Sequence, residues 1–335
     1  MRLRRRLPAL FGVLLFIAAV AAIVELRKHA PPEPARLLPG ADGFLYVNLQ
    51  WMRRADVGGH APAAPHDPDY ERFIQATGFD FERDLAQAAF AVHYASPVTH
   101  GQTRYSEILV AHIDTNKLRA YLKNLATSIE SYKSIDIYNI KVGDHTFRIA
   151  LLGVDVCTPH LCNIIAASNH DDPAVIHGMV DRSRKLASPF GGPALLRRFY
   201  RHVPQIPLPS LGWAIFRVDP TSTTLGSFPL TSPATVVASV QYLGNIHFRA
   251  EAFTKDASSA QQLSLQASTF VKIFESAEVS VSGEEPDPDF QRAMNSIKIA
   301  QNNDRVVLTA NVPSDLIRKL VSEAPLGLTP SGPAK

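Results

Sequence analysis

The chain has 335 residues, 46% hydrophobic and 19% charged, with 17 Phe, 9 Tyr and 2 Trp; that excludes a disordered polypeptide and leaves room for one large domain or two moderate ones. Lys and Arg number 34 against 31 Asp and Glu, but Arg2, Arg4, Arg5 and Arg6 all precede the first apolar run. The remaining body is near neutral, which excludes a general attraction to phosphate backbones and so argues for no nucleic acid among the partners.

Residues 7–24 are apolar apart from Pro8 and Gly12. The run is longer than a signal-peptide core of about 7–15 residues and close to the roughly 20 that span a bilayer. Residues 7–26 are therefore expected to form a transmembrane signal-anchor. The small residues Ala18, Ala19, Ala21 and Ala22 keep a cleaved signal peptide open, in which case the body is secreted. The four leading arginines outweigh Arg27 and Lys28, so the positive-inside rule leaves residues 1–6 in the cytoplasm and exports the rest. Pro31, Pro32 and Pro34 stiffen a linker over 27–36.

Beyond the linker, 38–43 reads as a turn and 44–49 as an aromatic, β-branched strand. Residues 55–69 read as a loop, followed by a helix from about Tyr70 and a strand over 88–94. A strand over 108–113 leads to Asp114 or Thr115, which caps a helix carrying Leu118, Tyr121, Leu122 and Leu125 at helical spacing. Strands follow over 135–142, 147–156 and 161–167, and Asp172-Pro173 opens another helix. A strand over 213–218 begins the second half. The segments 236–242 and 246–253 form a hairpin across Gly244-Asn245, and a helix covers 258–274. Strands over 296–300 and 306–312 pair across Asn302-Asn303-Asp304, and Ser314 caps the last helix.

The junctions at Asp114 and Asp172 are matched by Asp256 and Ser314 at equal offsets. Equal offsets with almost no shared residues suggest a duplicated unit of strand, strand, helix, strand, strand, helix. The expected fold is thus α+β: antiparallel sheets with helices packed on one face, in two related halves behind one N-terminal transmembrane helix. The first domain is placed at 37–203 and the second at 204–323, with a disordered tail over 324–335.

Few residues offer chemistry. Cys157 and Cys162 flank four residues between two expected strands, and in an oxidising compartment that spacing favours a disulfide over free thiols or a metal site with His160. Arg182, Arg184, Lys185, Arg197, Arg198 and Arg201 gather near the domain boundary; they form an anionic-partner patch if they share a face, and solvated helix faces if they do not. His60, His66, Asp67, Asp69 and the run His170-Asp171-Asp172 invite a metal search, but turn and cap roles beside proline fit the acids better. The acidic 284–289 loop lacks calcium-loop spacing. Nucleophile-elbow, P-loop, dinucleotide and zinc-protease motifs are all missing, so no catalytic, cofactor or metal residue is assigned and no cofactor is expected.

The motif Leu38-Pro39-x-Ala41-Asp42-x-Phe44-x-Tyr46-Val47, then Thr77-Gly78-Phe79-Asp80 with Asp84-Leu85, resembles uncharacterised bacterial envelope proteins of the domain-of-unknown-function type. The resemblance covers about the first third of the body. It implies one N-terminal membrane segment in the bacterial inner membrane, a repetitive periplasmic α+β region and no catalytic residues. The expectation for function is a non-enzymatic, membrane-anchored protein that binds an envelope protein partner. An exported hydrolase with a dispersed site is the first alternative. A small-ligand or lipid binder that uses a cleft between the halves is the second.

Overall fold

The computed structural model describes residues 33–54, 67–96, 101–156, 161–184, 202, 206, 210–218, 232–282 and 287–323. The expected signal-anchor, most of the linker and the C-terminal tail lie outside them. Among the described residues, no helix is long and apolar enough to cross a membrane.

Among the described residues, twelve strands form one sheet in the order β11-β12-β10-β9-β8-β1-β2-β3-β7-β6-β5-β4, and every neighbouring pair is antiparallel. In chain order the strands are β1 (Gly43–Asn48), β2 (Leu85–His93), β3 (Arg104–Ala111), β4 (Ser128–Tyr132), β5 (Ile135–Val142), β6 (His145–Val156), β7 (Leu161–Ser168), β8 (Gly212–Val218), β9 (Ala234–Tyr242), β10 (Ile246–Phe253), β11 (Lys298–Asn302) and β12 (Arg305–Val312). The helices are α1 (Glu33–Leu37), α2 (Leu49–Arg54), α3 (Pro68–Thr77), α4 (Phe81–Asp84), α5 (Thr115–Leu125), α6 (Ala174–Ser183), α7 (Ala257–Ser282), α8 (Pro288–Asn295) and α9 (Ser314–Glu323).

Local chemistry explains many of the element ends. Asp67 accepts from the backbone N–H groups of Asp69 and Tyr70, and Pro68 follows it at the first helical position, so α3 starts there rather than at Tyr70. Asp114 caps α5 through the N–H groups of Asn116 and Lys117, as expected. Asp172 accepts from the Ala174 N–H at the start of α6. The hairpin between β9 and β10 turns at Gly244, whose φ is 84°. The hairpin between β4 and β5, which the sequence reading missed, turns at Lys133 and Ser134 with φ of 48° and 61°, the double positive φ of a tight primed turn.

At the centre of the sheet β1 pairs with β8, so strands expected in separate domains are hydrogen-bonded neighbours. Outward from that pair, both flanks follow one path. A first strand meets a second and a third, and the fourth neighbour is a later strand that returns after a helix: β1-β2-β3-β7-β6 on one side, β8-β9-β10-β12-β11 on the other. The β4–β5 hairpin is the first flank's addition.

Helices do not keep to one face, which corrects the sequence expectation. Ile176, Met179 and Val180 of α6 are fully buried with Ile108, Ile137, Ala150 and Ala166 on one face. Leu118 and Leu122 of α5 pack with Tyr138 and Ile165 on the other. Neighbours such as Ile137-Tyr138 and Ile164-Ile165 point to opposite faces of a strand. Both members of each pair are buried, so this part of the sheet needs cover on both sides.

Candidate functional site

A cavity of about 330 Å³ lies on the α5 face of the sheet, over β1, β8, β9 and β10. Alternation along the strands decides which side chains reach it. Leu45, Ala214 and Ala238 stand directly opposite one another across β1, β8 and β9 and make a floor that is low at the two alanines. Beside them runs the row Val47, Gly212, Val240 and Phe248, whose bulky members make a wall broken at the glycine. Ile246, Met52 and Leu211 add to the lining, and Tyr46, Trp213 and Ser239 border it from the strands beneath.

Two local constraints hold this shape. A methyl group on Gly212 would sit 3.0 Å from the Tyr46 carbonyl oxygen, so the close approach of β8 to β1 favours glycine there. Helix α2, which carries Met52, is pinned by Arg53, whose guanidinium donates to the carbonyls of Leu85 (2.7 Å) and Glu82 (3.1 Å). Every atom that the cavity exposes is apolar. Leu45 remains 39% exposed, so the cavity opens to solvent. On the opposite face of the same strands the chemistry reverses: Glu251 is buried between Arg249 (2.6 Å) and Arg305 (3.1 Å).

A buried polar cluster lies on the α6 face, where β2 ends and β3 begins. His93 Nε2 is 3.1 Å from Ser106 Oγ, which is 2.9 Å from Ser168 Oγ. The Ser168 hydroxyl accepts from the His170 N–H, and the His93 and His170 rings meet edge to face at 4.9 Å. Arg104, also buried, donates twice to Asp171, at 2.9 and 3.1 Å. Burial, and then the neighbouring His170, hold His93 down to about 4 from its ordinary 6.5, against the opposing pull of Asp42. A serine hydroxyl on a neutral imidazole is the start of a nucleophile pair. Ser106 is fully buried, however, so no substrate reaches it in this conformation. The cluster satisfies buried polar groups and fixes the register of β3 against β7.

The sequence candidates fare unevenly. Asp171 is spent on Arg104, and His170 Nδ1 accepts the Asp172 N–H, so that run orders a helix entry. Among the described residues, no group of three His, Cys, Asp or Glu could hold a metal. Cys162 is fully buried, its sulfur 3.6 Å from the His112 ring nitrogens, while Cys157 lies outside the described residues. Arg182 and Arg184 stand at the end of α6. Lys185, Arg197, Arg198 and Arg201 lie outside the described residues. His93, Ser106 and Ser168 went unnoticed in the sequence because 75 positions separate the ends of the set. Their one signal was a polar residue at an inward-facing strand position.

No protein-family model and no curated protein matches the chain. Among solved structures it is similar to crystal form III of TP0453, at 9% identity over 87% of this chain and 98% of that one, with a TM-score of 0.39. Crystal form I of TP0453 gives 10% identity over 88% and 97%, with a TM-score of 0.38. A likeness at that level transfers neither a function nor a site.

Proposed function

We propose that the protein is a membrane-anchored, exported binding protein that holds an apolar ligand in the cavity over β1, β8, β9 and β10. The observation that carries this reading is the lining: the cavity is large enough for a small ligand, at the low end of the usual range of about 300–1000 Å³, and exposes only apolar atoms. A hydrolytic site needs a nucleophile or a proton-transfer group in reach of the ligand; Ser239 and Tyr46 lie in the strands beneath this cavity, but they belong to the row that faces the other side of the sheet, and the cavity exposes no polar atom. Export is supported by the arginine cluster ahead of the 7–24 apolar run and by the resemblance of the opening motif to envelope proteins. A bridge between Cys157 and Cys162 belongs to the same proposal, because an oxidising compartment favours it. Duplication of a five-strand unit is supported by the matching paths of the two flanks.

The test is solvent extraction of the full-length protein purified from membranes, with mass spectrometry of what is released. An apolar molecule in near-stoichiometric amount is expected, and it should be lost in Ala238→Phe, which fills the floor. Equal recovery from both proteins, or none from either, would remove the reading. An envelope protein partner is the second reading, favoured by Leu265, Phe270 and Ile273 of α7, which are 47–62% exposed. Crosslinking in intact cells tests it: a partner retained by a Leu265→Ser, Phe270→Ser, Ile273→Ser triple variant does not dock there.

A further inference from the structure

Resting on the ligand-binding reading, we infer that the cavity takes one unbranched aliphatic chain of a single-chain amphiphile, such as a fatty acid, with the polar head left in solvent. Three features of the site lead to this occupant. The floor is lowest at the paired Ala214 and Ala238, and Val240 and Phe248 rise beside it on β9 and β10. The floor crosses the strands, running about 10 Å from β1 to β9 at the usual strand spacing of about 4.8 Å. An unbranched chain can lie along such a trough, whereas a rigid planar ring system must bridge the wall. The volume of about 330 Å³ also decides against larger occupants. A docked peptide helix is about 10–12 Å across with its side chains and cannot enter.

The head must stay outside for a separate reason. No donor or acceptor is exposed in the cavity, so a carboxylate or phosphate drawn into it would lose its water and gain no partner. The site therefore selects for the chain and tolerates a range of heads. Met52, unbranched and flexible at the edge of the lining, can adjust to chains of different length.

The experiment uses full-length protein in its own membranes and a fatty acid carrying a photoreactive diazirine at mid-chain. After illumination, labelled peptides are mapped by mass spectrometry, with dodecanoate, lysophosphatidylcholine or pyrene as competitors. Labelling is expected within 234–253, reduced at least tenfold by dodecanoate and by lysophosphatidylcholine, and little changed by pyrene. Ala238→Phe should abolish it with the melting temperature retained. Phe248→Ala, which lowers the wall, should let pyrene compete for whatever labelling remains. Competition by dodecanoate alone would show that the head is recognised and overturn the head-outside assignment. Effective competition by pyrene in the unaltered protein would overturn the single-chain assignment while leaving an apolar ligand site standing. Labelling confined to 7–24, or unchanged in Ala238→Phe, would overturn the inference and the ligand-binding reading together.

Discussion

The two flanks of the sheet share a strand path and differ in what lies on the α5 face. Between β1 and β2 the chain places α2, α3 and α4, and Phe73 and Phe79 close over Leu85, Ala88 and Ala111. Phe79 meets Phe73 and Phe81 edge to face, at 6.0 and 4.8 Å. Between β8 and β9 the connection is far shorter, running from Val218 to Ala234. There, Leu45, Ala214, Ala238, Val240 and Phe248 keep partial exposure and line a cavity. One architecture thus uses an apolar sheet face in two ways: filled by its own aromatic side chains it is core, and left open it lines the cavity proposed to bind a ligand.

The sharpest way to break that comparison is to empty the filled side. Phe79 is 2% exposed, so Phe79→Ala should cost about 3–5 kcal/mol in denaturant unfolding. Phe248→Ala, at a partly exposed wall position, should cost about 2 kcal/mol or less. Equal losses would mean that both flanks are ordinary core.

A second effect belongs to the buried histidine cluster. The unfolded imidazole of His93 takes up its proton near 6.5 and the folded one only near 4, so between those values the unfolded state binds more protons. Stability is therefore fully present above about pH 6.5 and falls as pH drops toward 4, by about 3 kcal/mol in all. His93→Gln, which keeps a donor for Ser106, should flatten that slope in urea titrations from pH 7 to 4. An unchanged slope would place the acid sensitivity elsewhere. The smallest effect is local to the covered flank: Asp114→Ala removes the cap of α5 and should cost about 1 kcal/mol. A loss well beyond that would show that Asp114 does more than end a helix.

Much of this was legible in the sequence, for a physical reason. Caps and tight turns depend on neighbouring residues, so Asp114, Asp172 and the Gly244-Asn245 hairpin could be read directly. Placement of the helices on both faces was misread, although runs such as Ile164-Ile165-Ala166-Ala167 carry the signal, being apolar on consecutive positions rather than alternate ones. The cavity was not legible at all. Its floor joins Leu45 to Ala214 and Ala238 through the β1–β8 pairing, and nothing in either segment announces that register. The His93, Ser106, Ser168 and His170 cluster was hidden in the same way, since two separate strand pairings assemble it.

The account stands on the open flank being a ligand site and the filled flank not. Hydrogen exchange on the full-length protein in lipid nanodiscs, with and without dodecanoate, tests that most directly. The account predicts slower exchange within 212–218, 234–242 and 246–253, no change within 85–93 and 104–111, and no response to ligand in Ala238→Phe. Protection spread equally over both flanks, or absent from both, would contradict it.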